Sequence, residues 1–155
     1  MNRNTLRLVL FLIVTVGGGL LIGVLNIPGP WYAALAKPSF NPPNWVFGPA
    51  WTVLYIVIAI AGWRVTRNGW NDRMAVVWIA QLVLNFLWSP TFFSLHAIRA
   101  ALIIIALMLV CILAFIGVGL RRDRLAALLF VPYAAWITFA LTLNSAILQL
   151  NGPGG

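Results

Sequence analysis

Apolar runs of membrane-spanning length occupy residues 6–25, 46–63, 74–95, 100–120 and 125–150. A hydrocarbon core of roughly 30 Å takes about 20 residues of helix, so each run is of crossing length. Backbone amides find no water there, and a helix satisfies them within a single segment. The pattern predicts an all-α integral membrane protein: one domain over residues 1–155, built as a five-helix transmembrane bundle. With 63% hydrophobic and only 8% charged residues, the chain cannot cover a soluble domain of this size. The first run follows Arg3 and Arg7 as a signal peptide would. It continues past the glycines at 17–19 to Leu25, which predicts a retained span.

Ten basic residues against two acidic ones give a net charge of +8, yet the cations lie in the gaps between runs. They form no nucleic-acid patch. In a five-span topology Arg3, Arg7, Arg64, Arg67, Arg73, Arg121, Arg122 and Arg124 share one side, opposite Lys37 and Arg99. In a cytoplasmic membrane this bias places the N-terminus in the cytoplasm and the first connection outside; an outer membrane reached by another route falls beyond the rule. The single cysteine, Cys111, excludes an intrachain disulfide and a cysteine metal cluster.

The first connection, residues 26–45, is the long one. Residues 31–55 read WYAALAKPSFNPPNWVFGPAWTVLY. Pro38, Pro42 and Pro43 each lack an amide donor and restrict the residue before, so no continuous helix crosses the first half of this stretch. Residues 31–44 are expected to form a long, ordered, aromatic and proline-rich loop covering the bundle. The second half re-enters the membrane and carries Trp51 and Tyr55 inward.

The interior lacks charge. No Asp, Glu, Lys, Arg or His lies deep in a span, which argues against a proton pump or an ion-coupled transporter of the usual kind. Paired carboxylates for acid–base chemistry and a His/carboxylate metal site are missing as well. Asp72 and Asp123 read as solvated interfacial charges. His96 reads as an interfacial side chain, with haem ligation from the loop side as its alternative. Uncharged polar groups do enter the spans. Gln81, Asn85, Trp88 and Phe92 share one helical face; Trp51 and Tyr55 are i, i+4 neighbours; Trp136, Ala140 and Asn144 share a face of the last helix, with Pro132 and Tyr133 one turn earlier. Thr138, Thr142, Ser145 and Gln149 form a separate stripe. A buried amide needs a partner, so Asn85 and Asn144 face protein or ligand. Two readings fit this spacing: a pocket lined by Trp51, Asn85, Trp88 and Trp136, or interhelical hydrogen bonds with aromatic packing. Trp45, Trp63, Trp70 and Trp78 lie near run ends and are expected to anchor at headgroup level. Gly19 and Gly23 form a GxxxG spacing suited to helix contact within the bundle or with a second protomer. Pro90 should kink the third helix.

Three blocks, the 31–55 stretch, QLVLNFLWSPTFF at 81–93 and FVPYAAWITFALTLN at 130–144, resemble the TspO/MBR family of tryptophan-rich sensory proteins, which includes the mitochondrial translocator protein. The resemblance covers essentially the whole chain. It implies a five-helix bundle, usually homodimeric, with a pocket beneath the first loop that takes porphyrins such as protoporphyrin IX. Some members also bind isoquinoline carboxamides and cholesterol. By matching position the pocket would include Trp51, Asn85, Trp88 and Trp136, closed by Trp31 and Tyr32, with Ala140 one turn below Trp136. Tyr55, Phe92 and Asn144 join this set from the faces they share with it. The porphyrin is implied as ligand, with no obligatory cofactor and no metal. The implied function is a porphyrin receptor or sensor that regulates tetrapyrrole metabolism or a stress response. A porphyrin or sterol transporter and a light-dependent porphyrin-degrading enzyme are the alternatives. The enzyme would use Trp51 and Trp136, with no other catalytic residue assigned. The sterol pattern of animal members is not matched, because Ser145 stands where a tyrosine is expected and no basic residue follows it.

With Lys37→Cys in a Cys111→Ala background, a membrane-impermeant maleimide is expected to label intact cells from outside; labelling only after lysis would reverse the orientation.

Overall fold

The computed structural model describes residues 2–67, 69–70 and 72–152. Its elements are α1 (Arg3–Leu25), α2 (Pro30–Ala34), α3 (Asn44–Thr66), α4 (Arg73–Ser94), α5 (Ile98–Arg122) and α6 (Arg124–Asn151). No strand occurs among the described residues. All but α2 are long and apolar enough to span a membrane, so the chain is a multi-pass membrane protein. The helices overrun the apolar runs because their caps lie in polar sequence. Asn2 accepts from the Asn4 amide at 3.2 Å, Asp72 from Met74 at 2.8 Å and Asp123 from Ala126 at 3.1 Å. Arg121 and Arg122 prolong α5 where cations complement the helix dipole.

The long helices close into a ring in the order α1–α3–α6–α5–α4, with α4 returning to α1. Close approach depends on glycine at two points. A Cβ on Gly62 would lie 2.3 Å from the Trp78 ring, and one on Gly19 would lie 2.1 Å from the Tyr55 ring. The expected GxxxG pair therefore splits: Gly19 packs inside the bundle against α3, whereas Gly23 has open space around it. Pro90 acts as expected in kind but not in form. The end of α4 widens into a π turn over Pro90–Ser94, in which the Leu95 amide donates to the Pro90 carbonyl at 3.0 Å. A second π turn, Ile13–Gly17, interrupts α1.

Two expectations need correction at the arginine-rich end. Trp78 is no interfacial anchor: it is 4% exposed, and its indole donates to the Ile58 carbonyl at 2.9 Å. Its position one turn into α4 looked interfacial, but Gly62 leaves the space its ring fills. Trp45, in contrast, is 75% exposed. Asp72 and Asp123 are more than solvated charges. Arg64 grips both oxygens of Asp123 at 3.1 Å, and Arg122 meets Asp72 at 2.7 Å. Partial burial disfavours the Asp123 carboxylate, but the Arg64 contacts and the backbone amides of Ala126 and Leu125 outweigh it and hold its pKa below the usual value. Each aspartate thus caps a helix and ties that cap to a neighbouring element.

Gly62→Leu is expected to destabilise the protein by about 1–3 kcal/mol through overpacking against Trp78, with Gly117→Ala, which meets open space, near neutral. Thermal unfolding in a fixed detergent reads the difference; equal stability of the two variants would refute the tight α3–α4 contact.

Candidate ligand-binding site

A chain of hydrogen bonds crosses the middle of the bundle. The Tyr55 hydroxyl donates to Asn85 Oδ1 at 2.9 Å, and Asn85 Nδ2 donates to the Tyr133 hydroxyl at 2.7 Å. Tyr133 in turn donates to Gln81 Oε1 at 3.0 Å, with Met108 Sδ at 3.2 Å, and Gln81 Nε2 donates to the Trp78 carbonyl at 2.9 Å. All these side chains are buried. The amide of Asn85 is thereby engaged at both its oxygen and its nitrogen. Of the two readings open from spacing, interhelical hydrogen bonding describes Asn85. The same holds for Asn144, whose Oδ1 accepts from the Trp88 indole and whose Nδ2 donates to the Ile98 carbonyl, both at 3.2 Å.

On this hydrogen-bonded floor sits an aromatic wall. Trp51 stacks on Tyr55 at 5.4 Å and meets Tyr133 and Trp136 edge-on, each at 6.5 Å. Trp136 also contacts Phe47 at 6.0 Å and Phe139 at 5.7 Å. Ala140 packs half-buried against the same core cluster. A shallow, open cleft of about 450 Å³ lies here between Pro42 of the loop and Pro132, Ala135, Trp136 and Phe139 of α6, of which Pro132 and Ala135 are exposed. The indole N–H of Trp136 is the one buried side-chain polar atom without a hydrogen-bond partner among the described residues. A larger concavity, about 680 Å³, lies at the other end of α1 around Arg3 and Arg7. It contains no aromatic side chain and lies away from the tryptophan wall.

The remaining predicted residues form a second layer beneath the loop. Phe92, 2% exposed, lies against Trp88 at 5.4 Å, Trp31 at 5.8 Å and Tyr32 at 6.1 Å. Trp31 stacks face-on with the exposed His96 at 4.1 Å, which gives His96 a packing role. Among the described residues no cluster of three or more His, Cys, Asp or Glu could hold a metal. Tyr32 is buried and donates to Asn41 Oδ1 at 3.3 Å. Its burial raises the phenol pKa more than that bond lowers it, so it remains a neutral donor. The structure therefore brings all ten predicted residues into two adjoining layers, with Trp88 packed against both. Thr138, Thr142 and Gln149 of the separate stripe point outward; the two threonines bond the carbonyls four residues back. Phe47 and Phe139 were not anticipated in the wall. Their spacing, four residues before Trp51 and three after Trp136, carries the signal that identifies them. Pro42 carried no such signal, because its place over α6 is set by tertiary folding.

This geometry defines a class: a five-span helical membrane protein with an aromatic cleft under a proline-braced loop. Residues 10–150 match the TspO/MBR family. The chain is 48% identical over 124 residues to a tryptophan-rich protein TspO of Archaeoglobus fulgidus, covering 78% of this chain and 80% of that relative. It is 38% identical over 136 residues to protein CrtK of Rhodobacter capsulatus, covering 85% of this chain and 84% of CrtK. It is also 35% identical over 126 residues to the human translocator protein, covering 78% and 75%. The chain belongs to the TspO/MBR family.

Asn85→Leu leaves the Tyr55 hydroxyl without its acceptor and removes the donor to Tyr133, and is expected to cost about 1–3 kcal/mol. Tyr55→Phe should cost about 0.6 kcal/mol, the mean for a hydrogen bond in a membrane. Unfolding in detergent ranks the two; unchanged stability in Asn85→Leu would show that the amide serves something other than the bundle.

Proposed function

We propose that the protein is a membrane receptor for flat, largely apolar rings of the tetrapyrrole type, bound under the loop against Trp136 and Trp51. The observation that carries this reading is the buried, unpartnered indole N–H of Trp136, a residue whose side chain lines the cleft. A buried donor without an acceptor is costly, and a ligand oxygen or ring nitrogen relieves it. Aromatic faces supply the rest of the affinity. The two cations expected on this side, Lys37 and Arg99, suit the carboxylates of a porphyrin. Lys37 already lies over the Tyr32 ring at 4.6 Å and donates to the carbonyls of Ala33 and Leu35.

The names of the relatives, tryptophan-rich sensory protein and translocator protein, suit a receptor that reports tetrapyrrole levels or moves its ligand. The absence of Asp, Glu, Lys, Arg and His deep in the spans favours sensing over ion-coupled transport. A homodimer in the membrane belongs to the same proposal. Light-dependent degradation is the second reading, favoured by the 6.5 Å approach of Trp51 and Trp136, two oxidisable rings beside the ligand. A defined product with repeated turnover would separate it from binding.

Titration of protoporphyrin IX into the protein in nanodiscs, followed by porphyrin absorbance, is expected to saturate. Trp136→Phe keeps a ring but removes the donor and should weaken binding roughly 5–10-fold, about 1–1.4 kcal/mol. Trp51→Ala should weaken it more. Absence of saturation, or unchanged affinity in both variants, sinks the reading.

A further inference from the structure

Besides the packing of Trp31 and Tyr32 on Phe92 and of Phe40 on Phe139, the loop over the cleft is fastened to the bundle at three places. Asn26 accepts from the Ser94 hydroxyl, Trp31 stacks on His96, and Ala36 is held by Asn151. The third fastening differs in kind. The Ala36 amide donates to Asn151 Oδ1 at 2.8 Å, and Asn151 Nδ2 donates back to the Ala36 carbonyl at 2.8 Å. One side-chain amide thus completes both backbone groups of one residue, as a neighbouring strand would. The same Nδ2 reaches the Ile147 carbonyl of its own helix at 2.9 Å, which orients the amide toward the loop. The donor on one side and the acceptor on the other leave a single orientation of the Asn151 amide that satisfies both.

The position of this pair matters for the cleft. Asn151 is the last residue of α6, the helix that carries Trp136 and Phe139. Six residues along the loop from Ala36 lies Pro42, the loop residue in the cleft wall. The intervening chain is stiff. Pro38 and Pro42 restrict it, the Asn41 amide closes a turn onto the Pro38 carbonyl at 3.0 Å, and Tyr32 holds the Asn41 side chain. A displacement of Ala36 is therefore transmitted toward Pro42 against the hold of Tyr32 on Asn41 and of Phe139 on Phe40. Both Ala36–Asn151 bonds are exposed, so water can replace them when they open. Leu35 and Tyr32, both buried, pin the chain immediately before Ala36 and leave it as the first point that can lift.

We propose that Asn151 is the latch of the loop: its amide holds Ala36 down and so sets how fast the cleft beneath Pro42 exchanges its ligand. This rests on the cleft being the ligand site, and the experiment separates the two claims. The first measurement uses no ligand. In Asn151→Ala, amide hydrogen exchange at Ala36 in nanodiscs is expected to rise on the order of tenfold or more. Asn151→Asp, which can still accept from the Ala36 amide but not donate to its carbonyl, should lie between. If Asn151 only caps its helix, protection falls at Gly152, whose amide bonds the Leu148 carbonyl, and stays unchanged at Ala36. That result overturns the latch. The second measurement is stopped-flow exchange of protoporphyrin IX. Association and dissociation should both accelerate in Asn151→Ala while the dissociation constant changes less than either rate, the signature of a gate. Unchanged rates despite faster exchange at Ala36 would overturn the gating role. Failure of the wild-type chain to bind porphyrin at all is a failure of the ligand reading, recognisable because Ala36 still responds to Asn151→Ala.

Discussion

Inside a bilayer, a polar group that leaves water must find its partner within the protein. The hydrogen-bonded path from Tyr55 through Asn85 and Tyr133 to Gln81 answers that demand. It joins α3, α4 and α6, and Met108 brings α5 against the Tyr133 hydroxyl. Each donor aims at one acceptor, so the path fixes helix rotation in a way that apolar packing between lipid-like surfaces does not. The glycines serve the same end. Gly19 admits the Tyr55 ring and Gly62 admits Trp78, whose indole closes onto the α3 backbone. Trp51 stacks on Tyr55 and meets Tyr133 and Trp136 edge-on, which ties the Trp136 wall of the cleft to the hydrogen-bonded floor.

The fold was legible because its signal is one-dimensional. Spanning length is counted along the chain, and all five apolar runs became helices whose ends differ from the runs by no more than three residues. Helical periodicity likewise showed that Gln81, Asn85, Trp88 and Phe92 share a face. It did not show what each meets. Asn85 turned to two tyrosines and Trp88 to Asn144, because a face is a local property and a partner is not. Trp78 misled for a related reason. Nearness to a helix end predicts an interfacial anchor, unless a glycine on the facing helix opens a slot for the ring, and Gly62 lies 16 residues away. The Ala36–Asn151 pair, separated by 115 residues, left no pattern at all.

The ends of the bundle are built differently. At the arginine-rich end α5 passes into α6 through Asp123 alone, and that residue caps α6 while Arg64 holds it from α3. Asp72 caps α4 and takes Arg122 from α5. These are ionic contacts, and the Arg64–Asp123 pair is multiply bonded. At the loop end the fastenings are neutral hydrogen bonds and ring stacks around a connection from Asn26 to Pro43. An opening that admits a ligand beneath the loop, as proposed, would fall at that end.

Helix α6 connects the two regimes. Its first turn is clamped through Asp123, its middle carries Tyr133 in the polar floor and Trp136 in the wall, and its last residue holds the loop. A ligand that accepts from the Trp136 indole would press on the same helix whose end fastens the cover. The first turn is held by the Arg64–Asp123 ion pair, whereas the last residue holds the loop through two exposed hydrogen bonds that water can replace. On the proposed reading, occupancy of the cleft and closure of the loop would be coupled through this one helix.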